Sequence, residues 1–202
     1  TQREELENGQ LLLDHLETEQ GIQYARLQRK AILTALTEPV MVLTGGPGTG
    51  KTTTIYAIIQ LLRERGEKVA LAAPTGRAAK RMSDLTGVEA KTIHRLLEVD
   101  YGSSAGNIRF KRNAQNPLPY HTIIIDECSM VDELLFDSLL RAMRHTCRLI
   151  LVGDQDQLPA VGAGNVLGDL IDSGRVAVVH LDEIFGQAAQ SLIVTNAHAI
   201  VS

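Results

Sequence analysis

At 202 residues, 44% hydrophobic and with a formal net charge of −4, the chain is long enough to bury a core as one α/β domain and tight for two. The acidic balance argues against a general polyanion binder. No apolar run approaches the roughly 20 residues that cross a bilayer, and no basic start leads into an apolar signal core, so a cytoplasmic protein without a membrane partner is expected.

Residues 1–19 are rich in Glu and Gln, with apolar Leu6, Leu11, Leu12, Leu13 and Leu16. This pattern reads as the helical tail of an earlier domain and sets residues 1–20 apart. Thr1 in place of a methionine and an uncapped helical run at 197–202 lead to the expectation of a piece cut from a longer chain. Gly21 breaks the first pattern, and a second amphipathic helix is predicted over 22–36, ending before Glu38-Pro39. Short, nearly continuous apolar runs follow at 40–43, 69–73, 122–125, 149–152 and 176–181, separated by helical stretches. Strands apolar on both faces indicate a parallel sheet covered by helices on both sides. Such sheets bind ligands at the carboxyl ends of their strands, and every motif below follows a strand end.

After the first strand, residues 45–52 read GGPGTGKT and fit the GxxxxGK[ST] phosphate-binding pattern. The helix predicted over 52–65 carries apolar Ile55, Ile58, Ile59 and Leu62, so the strand, loop and helix context is met and a chance match is set aside. Glycines let successive N–H groups point at phosphates, and the helix N-terminus adds its positive dipole end. Gly46, Pro47, Gly48, Thr49, Gly50, Lys51, Thr52 and Thr53 are the candidate nucleotide-binding residues. Lys51 reaches the β- and γ-phosphates, and Thr52 binds Mg²⁺ through its hydroxyl.

After the second strand, Thr75, Gly76 and Arg77 open a helix whose N–H groups and hydroxyl can hold a backbone phosphate. Thr92, His94 and Arg95 form a second polar group; a lone histidine there is more often a packed surface residue, and only its neighbours argue otherwise. Basic residues outnumber acidic ones from 63 to 112. On charge alone, a nucleic-acid track and an ordinary solvated helix face fit equally well. Residues 100–121 break the rhythm with a Gly/Ser/Asn stretch, a short run at 108–112 and Asn-Pro-Leu-Pro. They read as an inserted hairpin with basic tip residues Arg109, Lys111 and Arg112 suited to an anionic contact.

The run Ile123-Ile124-Ile125 leads into Asp126 and Glu127, the second half of a nucleotide-hydrolysing site. Asp126 is the magnesium partner and Glu127 the general base; the alternative is an acid pair capping the helix over 131–143. Strand 149–152 ends in GDQDQLP. There Gln157, a neutral amide, can hydrogen-bond a γ-phosphate oxygen without the repulsion of an acid. By itself that run is also a polar turn. Cys128 and Cys147 lack CxxC or Cys/His spacing, which argues against a disulfide framework or zinc site and for two small buried side chains.

The order of GGPGTGKTTT, APTGRAAKRM, KTIHRLL, IIIDECSM and LVGDQDQLPAVGAG resembles the RecD-like branch of superfamily 1 DNA helicases, the exodeoxyribonuclease V alpha-subunit family, over about residues 22–198. The resemblance implies a RecA-like P-loop fold, with the first motor domain over 21–202 and the hairpin as a strand-separating pin. It implies ATP and Mg²⁺ as cofactors, and 5′–3′ stepping along single-stranded DNA in recombination, repair or conjugative processing. By the same resemblance Gln28 reads adenine, and Thr75, Gly76, Arg77, Thr92 and His94 fall in DNA-contacting segments. Arg109 and Lys111 lie in the pin. The partners implied are a second RecA-like domain of the parent chain and nuclease or helicase subunits, so the fragment alone is not expected to unwind DNA. With no Trp in the chain, mostly backbone contact to DNA is expected.

One departure stands out. Where the family reads EIFRQA, this chain reads EIFGQA, and Gly186 replaces an arginine expected to stabilise γ-phosphate charge. Loss of such an arginine typically costs ~10³ or more in turnover. Two rival readings follow. An AAA-type ATPase would want a helical lid and a sensor in another context, against the 153–159 run. A nucleotide-dependent DNA-binding module with impaired hydrolysis takes Gly186 as its sign.

Overall fold

The computed structural model describes residues 1–46, 48–102, 108–154, 172, 174 and 176–181. Its strands in chain order are β1 (Val40–Gly45), β2 (Val69–Ala73), β3 (Ala90–Thr92), β4 (Val99–Asp100), β5 (Arg109–Phe110), β6 (Thr122–Ile125), β7 (Arg148–Gly153) and β8 (Ala177–Leu181). Six of them form one sheet in the order β3-β2-β6-β7-β1-β8, with every neighbouring pair parallel. The period of 2 along each strand sorts its apolar residues between two cores. Met41, Leu43, Leu71, Ile124, Ile150 and Val152 face one side; Val42, Ala70, Ala72, Ile123, Ile125, Leu149 and Leu151 face the other. Both faces are dry, which is why the strands read as continuous apolar runs.

The first face is covered by α1 (Gln2–Gln20), α2 (Arg26–Thr37), α3 (Lys51–Glu64) and α4 (Gly76–Thr86), which bring Leu13, Leu36, Ile58, Leu62 and Met82 to that core. The second is covered by α5 (Ile93–Leu97) and α6 (Glu133–Ala142), with Ile93, Leu97 and Leu139. Each such buried aliphatic side chain contributes about 1.5–3 kcal/mol. α1 begins in a capping box between Thr1 and Glu4 and ends at left-handed Gly21, φ 64°. Its Leu13 and Leu16 share the core of α2 and α3, and Arg29 of α2 pairs with Asp14, at 2.8 Å, and with Glu17. Residues 1–20 therefore have no separate core among the described residues.

Several predicted boundaries shift for physical reasons. The second helix starts at Arg26, not 22, because Ala25 is extended and its N–H donates to the side-chain Oε1 of Gln28 at 3.0 Å, the N3-to-N-cap bond of a capping box. Strand β3, three residues of Ala, Lys and Thr with no apolar pattern, has no counterpart in the sequence reading. The insertion does form an antiparallel pair, Val99 opposite Phe110 and Asp100 opposite Arg109. Its basic residues do not sit at a tip: the N–H groups of Lys111 and Arg112 donate to the carbonyls of Glu98 and Leu97 at 2.8 and 3.0 Å, which puts both at the stem.

The register brings the carboxyl ends of the strands to one edge. Thr44 lies beside Gly153, Ile125 beside Ala72 and Leu151, and Ala73 beside Thr92.

Candidate functional site

The loop after β1 is shaped by its glycines. Gly48 and Gly50 are left-handed, at φ 78° and 80°, where a side chain would be strained. Gly45 is different: a Cβ there would lie 2.6 Å from the Thr49 hydroxyl oxygen and 2.8 Å from the Leu181 carbonyl oxygen. Thr49 is buried and donates its hydroxyl to the Gly46 carbonyl at 2.7 Å. The Lys51 ammonium donates to the Gly45 carbonyl at 2.8 Å. The Gly50 carbonyl accepts from the Thr54 N–H at 3.0 Å, the Thr54 hydroxyl at 2.8 Å and Gln28 Nε2 at 3.2 Å. Gln28 is buried, with its amide oxygen on Ala25 and its amide nitrogen on the loop. It braces the loop from behind.

A cleft of about 370 Å³ opens at the sheet edge beside this loop. It is lined by Gly46, Gly48, Gly50, Lys51, Thr52 and Thr53 from the loop and α3, by Asp126 and Glu127 after β6, and by Gly153 and Asp154 after β7. Arg81, Met82 and Leu85 of α4, with Met130, close its far wall. Of the nucleotide-site residues predicted from sequence, Thr49 and Gln28 support the loop and are not among the lining residues. Pro47 and Gln157 lie outside the described residues, as does Gly186.

Burial pushes the Asp126 carboxyl above the ordinary aspartate range, and the Glu127 carboxylate pushes the same way; the Glu127 backbone N–H, Lys51 and Arg81 pull it back. Glu127 adopts a left-handed backbone, φ 50° and ψ 43°, a conformation that costs a non-glycine residue about 1–2 kcal/mol. Strain of this size persists where the surroundings fix it, commonly at functional positions. Next to it Cys128 is buried and free, its thiol pushed up to about 12 by desolvation first and by Asp126 second. Arg81 is the residue that sequence reasoning missed. Its signal was present, since it follows Arg77 by one helical turn, but only the packing of α4 against α3 shows that it faces the cleft.

The other predicted contacts lie along the same edge, on β2 and β3. Thr75 caps α4 by accepting from the Ala78 N–H at 3.1 Å, and Thr92 caps α5 by accepting from the Arg95 N–H at 3.1 Å. Each hydroxyl keeps its own proton to donate. His94 rests its ring against Phe110 of β5, centroids 5.9 Å apart and tilted 56°, so it docks the insertion onto α5. Arg109 and Lys111 are exposed on that insertion.

A glycine loop between a buried strand and a helix, with paired carboxylates two strands away in a parallel sheet, defines a P-loop nucleotide-binding domain of RecA-like architecture. The chain belongs to the family whose model is described as an AAA domain, which matches residues 28–163. Within it, the chain is a RecD-like superfamily 1 helicase motor domain. It is 43% identical over 162 residues to the ATP-dependent RecD2 DNA helicase of Deinococcus radiodurans, covering 80% of this chain and 22% of the relative. It is 44% identical over 172 residues to the RecBCD enzyme subunit RecD of Mycobacterium tuberculosis, covering 74% of this chain and 29% of the relative. The chain thus spans less than a third of either relative. Among solved structures it is similar to a Pif1 helicase from Candida albicans, with a TM-score of 0.59, 26% identity, and coverage of 81% of this chain and 40% of that one. No described helix is long and apolar enough to cross a membrane.

Proposed function

We propose that the chain is the ATP-hydrolysing first motor domain of a 5′–3′ DNA helicase. The observation that carries this reading is the convergence of Lys51, Thr52, Asp126 and Glu127 in one cleft. In this role Lys51 leaves the Gly45 carbonyl for the β- and γ-phosphate oxygens, and the α3 N-terminus adds its dipole. Thr52 and Asp126 are hard oxygen donors suited to Mg²⁺. Among the described residues no cluster of three or more His, Cys, Asp or Glu could hold a metal unaided. Nucleotide phosphates and water would complete the shell of such an ion. The ion, when bound, supplies charge neutralisation at the phosphates. Glu127 accepts the proton of the attacking water while its oxygen bonds to the γ-phosphorus and the bond to the ADP oxygen breaks. Gln157 senses the γ-phosphate, and Gln28 acts on adenine recognition through its brace on the loop.

Single-stranded DNA lies over Thr75, Gly76, Arg77, Thr92 and His94, where the capping hydroxyls donate to phosphate oxygens, and meets Arg109 and Lys111 on the insertion. A second RecA-like domain completes the ATP site, and nuclease or helicase subunits join in the assembled protein. Gly186 favours one other reading, a nucleotide-dependent DNA-binding module with impaired hydrolysis.

The test is ATP hydrolysis with and without single-stranded DNA, in this chain and in a chain extended through the second domain, each beside its Lys51→Ala variant. DNA-stimulated turnover in the extended chain alone, abolished by Lys51→Ala, is the expected result. Turnover in neither selects the binding module, and restoring arginine at 186 then tells whether the glycine is the cause.

A further inference from the structure

A second cleft of about 370 Å³ lies between β3, α5 and residues 118–120, and neither the nucleotide site nor the Thr75 to His94 edge uses it. We propose that it holds backbone phosphates of a nucleic-acid strand rounding the stem of the insertion; the proposal rests on the DNA reading above.

The charge in this cleft is one-sided. Lys91, Arg95 and Arg112 line it against a single carboxylate, Glu98. Glu98 is already taken by Arg112, whose guanidinium also donates to the Pro117 carbonyl at 3.2 Å. Lys91 and Arg95 make no ion pair with any described residue. Lys91 reaches this cleft from the edge strand. On the edge strand, Ala90 packs toward the core of α3 and α4, so alternation turns Lys91 to the opposite face, the side covered by α5. There it is half-buried and lines the cleft.

The position suits a strand rather than a compact anion. Arg95 directly follows His94, whose ring holds Phe110 of the insertion. A strand crossing the Thr75 to His94 edge reaches Arg95 next, and Lys91 lines the same cleft from β3. Half-buried Tyr120 offers a ring face for a sugar or base. No glycine is among the residues lining the cleft, so it lacks a loop to wrap a terminal phosphate, and its two unpaired cations come from two elements, β3 and α5.

The test is binding of a fluorescein-labelled 20-nucleotide single strand to the 202-residue chain by anisotropy, from about 50 to 200 mM salt. Removing two phosphate contacts in Lys91→Ala/Arg95→Ala should make the slope of log K against log salt shallower by about 1.4, at about 0.7 per contact. The charge-matched Arg26→Ala/Lys30→Ala variant, on exposed α2 positions, should keep the wild-type slope. Affinity for a fluorescent ATP analogue should be unchanged in both, which shows that each is folded. A Lys91→Ala/Arg95→Ala slope equal to wild type, or a loss matched by the α2 variant, overturns the cleft and leaves the DNA reading standing. Wild-type chain that binds no DNA at all overturns both.

Discussion

Gly45→Ala is the sharpest test of how the phosphate loop is built. The added methyl would sit 2.6 Å from the Thr49 hydroxyl oxygen, 2.8 Å from the Leu181 carbonyl oxygen and 3.1 Å from the Leu181 Cβ. None of these is the far end of a flexible side chain: Thr49 is buried under the loop, and Leu181 is the residue paired with Gly45 across β1 and β8. Relief requires β8 to move or Thr49 to rotate away from the Gly46 carbonyl. Overpacking of this kind costs about 1–3 kcal/mol, and losing the Thr49 hydrogen bond adds about 0.5–1.5 kcal/mol. The sum, about 2–4 kcal/mol, is a large part of a typical stability of about 5–15 kcal/mol. With a urea slope of about 2 kcal/mol per molar, the unfolding midpoint should fall by about 1–2 M. Gly46→Ala is the internal control: nothing lies within 4 Å of its added methyl, so its stability should stay within about 0.5 kcal/mol of wild type, a midpoint shift of at most about 0.25 M. A Gly45→Ala midpoint equal to wild type, or a Gly46→Ala loss just as large, would refute the steric argument.

Three further outcomes are expected. Arg81→Ala should weaken ATP binding about two- to fivefold, the scale of one solvent-screened charge contact, with little effect on the unfolding midpoint; equal ATP affinity would remove Arg81 from the site. Thr75→Ala should lower stability by about 1 kcal/mol through loss of the α4 cap, and Thr75→Ser should restore it; an uncorrected serine variant would mean that the methyl group, not the cap, matters. Burial pushes the Cys147 thiol from 9.0 up to about 11, so the native chain should react with iodoacetamide at pH 8 far more slowly than the urea-unfolded chain. A folded pKa above the unfolded one stabilises fully below pH 9.0 and is lost as pH rises toward about 11. The urea midpoint should therefore fall more steeply across that window in wild type than in Cys147→Ala.

The parallel sheet and the loop were legible in the sequence because the signals were local and redundant. Ile123-Ile124-Ile125 and Val69 to Ala73 are apolar on both faces, and the strands over 122–125 and 69–73 match those runs. The cleft residues Gly46, Gly48, Gly50, Lys51, Thr52 and Thr53, with Asp126 and Glu127, followed from the same logic, since each group comes after a buried strand. What escaped was set by partners distant in the chain. β3 is a strand only because Leu71, Ala72 and Ala73 offer it an edge to pair with; Ala-Lys-Thr alone has no period. The resemblance makes Gln28 an adenine-reading residue; in the structure its amide bonds Ala25 and Gly50, contacts that depend on where α2 starts.

Arg77 and Arg81 show where sequence and packing separate. They stand four residues apart on one helix, so periodicity puts both on one side of α4. One lies in the turn that opens at the strand-end edge beside Thr75, the other on the wall of the nucleotide cleft near Asp126. A helix of eleven residues thus carries one cation to the cleft wall and another to the strand-end edge. The helix was predictable from its cap and its apolar positions; the shared wall was not, because it depends on α3 lying alongside.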